Sequence, residues 1–454
     1  MSGIKLFSTG VKELDEILGG GYYPGYIVLI AGHPGAGKTT LGASFLYKGA
    51  LEREAGIYVS LAERKNEFFR HMKPLGMDFQ PLEEKGLFKF MDFPTLNTRD
   101  VLSTLITTLG EETNRLKAKR IVIDPITAFI DIVGKEEARA FLHTTLLKLT
   151  KPLGVVTYLI ADLPLGVEVI GHGFEEFLAD AVLKLVIDKK AGLVRRKLII
   201  HKAREVPMVF YEYEFIIEQG GIRIYPKMPR AIKGSYTLER IESGIEGLDR
   251  MLHGGFLKGS SVLITGPSGT GKTLILLTIA LYNASKGRRV LYISLEESVE
   301  QLRTTARTLE FNVDELESKK LINFITIGPG TLTPEGVYHR ILDAIKNLSP
   351  SILILDGLSS LERLFGESDF MLLGRNIIIE AKKRGILNIS SMLHDVMAGR
   401  EVGMSTMTDS IIALWFDISS SPIKRMITVL KMRGSPHDTS KKILAQVNGK
   451  VVIK

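Results

Sequence analysis

A chain of 454 residues exceeds the size at which one hydrophobic core stops growing, about 250–300 residues, so two or three domains are expected. Hydrophobic residues at 45% and charged residues at 24% describe a globular chain; the lack of cysteine excludes a disulfide framework and a Cys-ligated metal site. The net charge of +8, from 59 basic and 51 acidic residues, is small for this length, and the short clusters RLKAKR (115–120) and VRRK (194–197) carry no interleaved aromatics, so they read as solvated faces rather than a nucleic-acid surface.

The opening MSGIKLFSTG lacks the apolar core of a signal peptide. No apolar run reaches the roughly 18 residues that span a bilayer. A cytoplasmic protein without a membrane segment is the expectation. In chain order, STGVKELDEILGGG leads into the buried-strand run YIVLIAG and then GHPGAGKT at 32–39. The helix-period stretch TLGASFLYKGAL comes next, followed by strand runs IYVSLAE, RIVIDPI and VVTYLIADL between helical segments. DAVLKLVID and RRKLIIHKARE then read as antiparallel edge hairpins.

After YPKMPRAIKGSYTLER (225–240), a Pro- and Gly-containing linker, the series starts again. ESGIEGLDRMLHGG, SVLITG, GPSGTGKT (266–273), LILLTIALYNASK, VLYISLEE, ILILDGL, LNISSML, DSIIALWFDI and RMITVLKMRG follow in the same order. Lys38 and Lys272 are separated by the same distance as Glu63 and Glu297. The offset changes by only a few residues for Asp124 and Asp356, and for Lys202, Arg204 against Lys431, Arg433. The expected fold is α/β: two tandem P-loop domains, 1–232 and 233–454, each a mainly parallel sheet flanked by helices with edge β-hairpins.

Gly-x-x-x-x-Gly-Lys-Thr between a strand and a helix cradles phosphate. The expected cradles are Gly32, His33, Pro34, Gly35, Ala36, Gly37, Lys38, Thr39 and Thr40, and Gly266, Pro267, Ser268, Gly269, Thr270, Gly271, Lys272, Thr273 and Leu274. The glycines let backbone N–H groups converge, the helix adds positive partial charge, and the lysine reaches the β/γ-phosphates. Thr39 and Thr273 are candidate Mg²⁺ ligands, with Asp124 and Asp356 as acids ending buried strands. The alternative for each aspartate is a helix N-cap. Glu296 and Glu297 in LEES are candidate catalytic bases, because adjacent carboxylates raise each other's pKa. The first half has Ala62 and Glu63 there. The local alternative is a capping box between Ser298 and Gln301.

The paired P-loops, the openings STGVKELDEILGGG and SGIEGLDRMLHGG, the LEES segment and KMRGSPH (431–437) together resemble the KaiC family of tandem RecA-like ATPases, over about residues 5–450. The resemblance implies a homohexamer with ATP and Mg²⁺ between neighbouring subunits. It further implies that Lys431, Arg433 and His437 reach the neighbour's nucleotide. HKAREVPM keeps Lys202 and Arg204 but not the later Gly and His. It also implies autophosphorylation of an adjacent Ser-Thr pair in the second half, here Ser405 and Thr406 of GMSTMTDS; the first half has EEFLAD, with Phe177 and Leu178 and no hydroxyl. Turn or capping hydroxyls are the alternative reading of that pair. The compact C-terminal segment KKILAQVNGKVVIK gives no expectation of a daily oscillator. The expected function is an ATP-hydrolysing signalling or scaffold protein with an unknown protein partner. A DNA-acting motor and a nucleotide-gated assembly module with negligible turnover remain alternatives. The acidic loop DLPLGVEVIGHGFEEFLAD, without Lys or Arg, argues against the motor, as does HDVMAGREVGMSTMTD, where Arg400 stands against Asp395, Glu401 and Asp409.

Overall fold

The computed structural model describes residues 4–93, 100–142, 147–164, 175–190, 193–204, 206, 212–227, 238–309, 311–328, 333–394 and 403–454. The chain divides into two compact units, Met1–Lys227 and Met228–Lys454. Most of the expected linker, residues 228–237, lies outside the described residues.

The first unit is built on strands β1 (Ile27–Gly32), β2 (Gly56–Ser60), β3 (Phe88–Asp92), β4 (Arg120–Asp124), β5 (Val156–Asp162), β6 (Ala181–Lys190), β7 (Leu193–Ala203), β8 (Glu212–Glu218) and β9 (Gly221–Tyr225). They form one sheet in the order β3-β2-β4-β5-β1-β6-β7-β8-β9. The strands from β3 through β6 are parallel neighbours, and β6 to β9 is a run of antiparallel hairpins. In β1, Val28 and Ile30 join a core with Phe45 and Leu46 of the helix Lys38–Leu51. Ile27, Leu29 and Ala31 join another with Phe129 and Ile130 of the helix Ile126–Val133. Both faces are covered, which is why the strand is an unbroken apolar run rather than an alternating one.

The second unit opens with a small antiparallel pair, β10 (Arg240–Ile241) and β11 (Phe256–Leu257). Its main sheet contains β12 (Ser261–Thr265), β13 (Val290–Ser294), β14 (Ile322–Thr326), β15 (Ile352–Asp356), β16 (Leu387–Met392), β17 (Ser410–Asp417), β18 (Lys424–Met432), β19 (Lys442–Val447) and β20 (Lys450–Ile453). The order β14-β13-β15-β16-β12-β17-β18-β19-β20 repeats that of the first unit. Each unit is thus an α/β sheet of RecA-like order with its P-loop strand in the middle. β1 ends level with β5, and β12 level with β16, while β6 and β17 run on past them; ligands of open α/β sheets bind in the crevice outside these carboxyl ends.

Candidate nucleotide sites

Each Gly-rich loop leaves the carboxyl end of the central strand and enters a helix, Lys38–Leu51 or Lys272–Ser285. Gly37 and Gly271 precede these helices with φ of 105° and 101°, left-handed values that other residues rarely adopt. Neither helix start is capped by a side chain, so first-turn N–H groups face outward, as a phosphate requires. The Lys38 ammonium donates to the carbonyls of Gly32 (2.9 Å) and His33 (3.0 Å), and Lys272 to those of Gly266 and Pro267 (both 2.8 Å). The lysines therefore staple their own loops. Burial pushes the Lys272 ammonium pKa down. His33 Nδ1 accepts from the Ile187 amide at 3.1 Å, tying the first loop to β6, and Thr270 Oγ1 donates to the Pro267 carbonyl at 2.8 Å. Pro34, Gly35, Ser268 and Gly269 form the exposed loop tips, whereas Ala36 and Thr40 are buried and Leu274 is half-buried.

Asp124 and Asp356 end β4 and β15 beside those loops. Thr39 Oγ1 donates to Asp124 at 2.8 Å, and Thr273 Oγ1 to Asp356 at 2.9 Å. Tyr58 and Tyr292 also donate to these aspartates, the latter at 2.8 Å, and Ser391 adds a bond to Asp356. Burial pushes the Asp124 carboxyl pKa up despite its hydrogen bonds from Tyr58 and Thr39. Burial also drives the Tyr58 and Tyr292 phenols well above their ordinary value, with help from the adjacent aspartates. The tyrosines therefore stay neutral donors. The N-cap alternative does not hold for Asp124 or Asp356: the helices that follow carry no side-chain cap bond. A hydroxyl and a carboxylate converging beside a phosphate cradle fit Mg²⁺, a hard ion that takes oxygen ligands and is completed by substrate phosphates and water. Among the described residues no cluster of three or more His, Asp or Glu side chains forms a separate metal cage.

In the second unit, Glu296 and Glu297 line a cavity of about 350 Å³ together with Ser268, Lys272, Thr273, Asp356 and Leu393. Burial raises the Glu297 pKa, followed by the charges of Asp356 and Glu296. The capping box is present as well: Gln301 N donates to Ser298 Oγ at 3.2 Å and Ser298 N to Gln301 Oε1 at 2.8 Å. It starts the helix just after the acids and does not occupy them. Glu296 has its own cation, Arg363, at 3.6 Å. In the first unit, Glu63 Oε1 lies 2.6 Å from His71 Nδ1.

The other candidates stand at the opposite end of each sheet. Lys202 is opposite Val182, near the start of β6, and Lys431 opposite Ile411, near the start of β17, whereas each P-loop follows the end of its strand. Lys202 Nζ donates to the Glu176 and Ala179 carbonyls, and Lys431 Nζ to those of Ser405 and Thr408. Arg204 pairs with Asp180 at 2.8 Å, and Arg433 donates to the Thr406 carbonyl at 3.2 Å. These contacts make Glu176 and Phe177 the positions that match Ser405 and Thr406, one residue earlier than the sequence comparison placed them. Ser405 is half-buried and Thr406 exposed in the helix Gly403–Met407, and Thr406 Oγ1 donates to the Gly403 carbonyl at 2.9 Å. His437 is half-buried, next to Asp438, whose amide bonds the Met251 carbonyl at 2.8 Å. Much of the two acidic loops, residues 165–174 and 395–402 (Asp395, Arg400 and Glu401 among them), lies outside the described residues.

Sequence reasoning missed Tyr58, Tyr292, His71, Asp162 and Arg425. The two tyrosines occupy matching places in IYVS and LYIS, a signal the repeat itself carries. Arg425 of β18 is opposite Phe416 and lines the second cavity, the near end of the strand whose far end holds Lys431.

The family model described as the KaiC ATPase matches residues 7–228 and 241–454. The circadian clock oscillator protein KaiC of Parathermosynechococcus lividus is 31% identical over 452 residues, covering 96% of this chain and 83% of that protein. The circadian clock protein KaiC3 of Synechocystis sp. is 31% identical over 457 residues, covering 96% and 89%. KaiC2 of the same organism is 30% identical over 454 residues, covering 94% and 78%. No helix among the described residues is long and apolar enough to cross a membrane. With the P-loop geometry written twice and the family match spanning both units, the chain belongs to the KaiC family of ATPases.

Proposed function

We propose that both units bind Mg-ATP and hydrolyse it, and that the second also transfers phosphate to Ser405 or Thr406 of a neighbouring copy. The observation carrying the reading is the repeated convergence of P-loop lysine, threonine hydroxyl and strand-end aspartate. Loop amides cradle the α- and β-phosphates, and Lys38 or Lys272 reaches the β- and γ-phosphates. Mg²⁺, held with the nucleotide by Thr39 and Asp124 or by Thr273 and Asp356, would neutralise phosphate charge. Glu63 and Glu297 accept the proton of the attacking water, and the raised pKa makes Glu297 a stronger base than an ordinary glutamate.

In phosphotransfer, the Ser405 or Thr406 oxygen attacks the γ-phosphorus, the bond to the β-phosphate oxygen breaks, ADP leaves, and Glu297 takes the hydroxyl proton. Those hydroxyls, with Lys431 and Arg433, sit near the start of β17, one strand length from their own P-loop, roughly 15–20 Å. Reaction therefore calls for a second copy, which favours a ring, with six subunits as the family suggests. A cytoplasmic signalling or scaffold role fits such an assembly.

Phosphate release by wild type, K38A, K272A and K38A/K272A tests hydrolysis. Additive loss in the single variants supports two working sites; no wild-type turnover sinks the ATPase reading and favours a nucleotide-gated assembly module. Intact mass after ATP incubation tests the kinase: unmodified wild type, or unchanged phosphate on S405A/T406A, rejects it. Mass photometry with nucleotide reads the subunit number.

A further inference from the structure

The two P-loop lysines differ in one partner. Lys38 Nζ lies 3.1 Å from Asp162 Oδ1, the last residue of β5, whose side chain is about half exposed. The two loop carbonyls take two of the ammonium hydrogens, and the Asp162 carboxylate stands beside the same ammonium as an ion pair. Register fixes the corresponding position in the second unit. Gly32 is opposite Asp162, and Thr265, just before Gly266, is opposite Met392, so Leu393 matches Asp162. The amides of Asp162 and Leu393 also bond corresponding hydroxyls, Thr127 Oγ1 and Ser359 Oγ. Among the described residues no carboxylate pairs with Lys272. Asp162 cannot retreat with its backbone, because the next amide, Leu163 N, donates to the Gly32 carbonyl at 2.9 Å.

A lysine in this loop serves the β/γ-phosphates, whereas the loop amides serve the α/β-phosphates. A carboxylate on the same ammonium competes with the γ-phosphate and repels it, but bears less on a nucleotide that ends at the β-phosphate. We propose that Asp162 is a selectivity residue that lowers the preference of the first site for ATP over ADP, a constraint the second site escapes through Leu393. Asp162 acts through Lys38, so it is a positioning residue. The inference rests on the reading of the first unit as a nucleotide site. Its consequence is a first site that product inhibits more readily and that needs a higher ATP-to-ADP ratio to be half filled with ATP.

The test uses the full chain carrying K272A, so that only the first site binds, with competition between Mg-ATP and Mg-ADP. D162N and D162L are expected to raise the ATP-to-ADP affinity ratio roughly threefold to tenfold, the size of one partly exposed charge pair. D162E, which keeps the charge, is expected to hold the parent ratio. In a K38A chain, L393D is expected to lower the ratio of the second site, an arm that does not depend on how D162N folds. Retained binding with an unchanged ratio in D162N and D162L overturns the proposal alone. Binding in K272A that is indistinguishable from K38A/K272A overturns the nucleotide reading of the first site, and the proposal with it.

Discussion

His71 Nδ1 sits 2.6 Å from Glu63 Oε1, so the carboxylate that is the first unit's candidate base is engaged by an imidazole, whereas Thr305 lines the second unit's cavity at the matching place. A carboxylate held by another group is a less available proton acceptor. His71→Thr in a K272A chain is therefore expected to raise phosphate release by about twofold to fivefold, the scale of a partly exposed pair. A fall in turnover would mean that His71 orients Glu63 for the reaction instead of restraining it.

The second site should show its own pH signature. Glu297 is raised by burial first, then by Asp356 and Glu296. Only the ionised form accepts a proton. On acidification kcat/KM is therefore expected to fall at a higher pH than for an ordinary glutamate. Glu296→Gln removes one of the two like charges and should move that acid limb to lower pH. The profile is measured in a K38A chain; an acid limb that stays put on Glu296→Gln removes Glu297 from the base role.

The mainly parallel sheets with edge hairpins, both P-loops and the strand-end aspartates were readable in the sequence because each is a contiguous pattern or the terminus of an apolar run, whereas the order of strands within each sheet depends on pairing between distant segments. Glu63 and Glu297 were found by position in the repeat. Asp162 was not, since its role depends on the register of β5 against β1; in the sequence it belonged to an acidic loop read for its charge. Lys202 and Lys431 were legible as cations on hairpins. That they brace the helices Glu175–Leu178 and Gly403–Met407 depends on which end of a strand they occupy, and Arg425 was overlooked for the same reason.

The glycines just before the two helices should respond differently to alanine. Both are left-handed, which for a residue with a Cβ costs about 1–3 kcal/mol. A Cβ on Gly37 would also stand 2.7 Å from Ile217 Cδ1, whereas one on Gly271 would meet Leu444 Cδ2 at an ordinary 3.4 Å. Gly37→Ala is expected to lose nucleotide binding in the first unit and to lower its unfolding transition more than Gly271→Ala lowers that of the second. Equal calorimetric shifts in the two variants would show that Ile217 yields without cost.

The units also differ in how their cores are pinned. Arg120 is fully buried and makes two bonds to Glu54, at 3.0 and 2.6 Å, with two more to the carbonyls of Ser8 and Phe45 at 2.7 and 2.8 Å. Its guanidinium lies 4.6 Å from the centre of the Phe45 ring. The second unit has buried Ile352 at the corresponding start of β15. Removing one partner of a buried pair strands the other, so Arg120→Ala is expected to cost about 3–5 kcal/mol in chemical denaturation of the first unit. Arg120→Ile with Glu54→Leu should recover much of that, since no buried charge is left unmatched. Burial raises the Glu54 pKa, but hydrogen bonds from Lys5 and Arg120 outweigh it and hold the carboxyl below its ordinary value. The pair's contribution is therefore present above the ordinary carboxylate pKa and lost as pH falls through the lowered one. Arg120→Ala should flatten that acid dependence, and a variant as acid-sensitive as wild type would show that the pair is not its source.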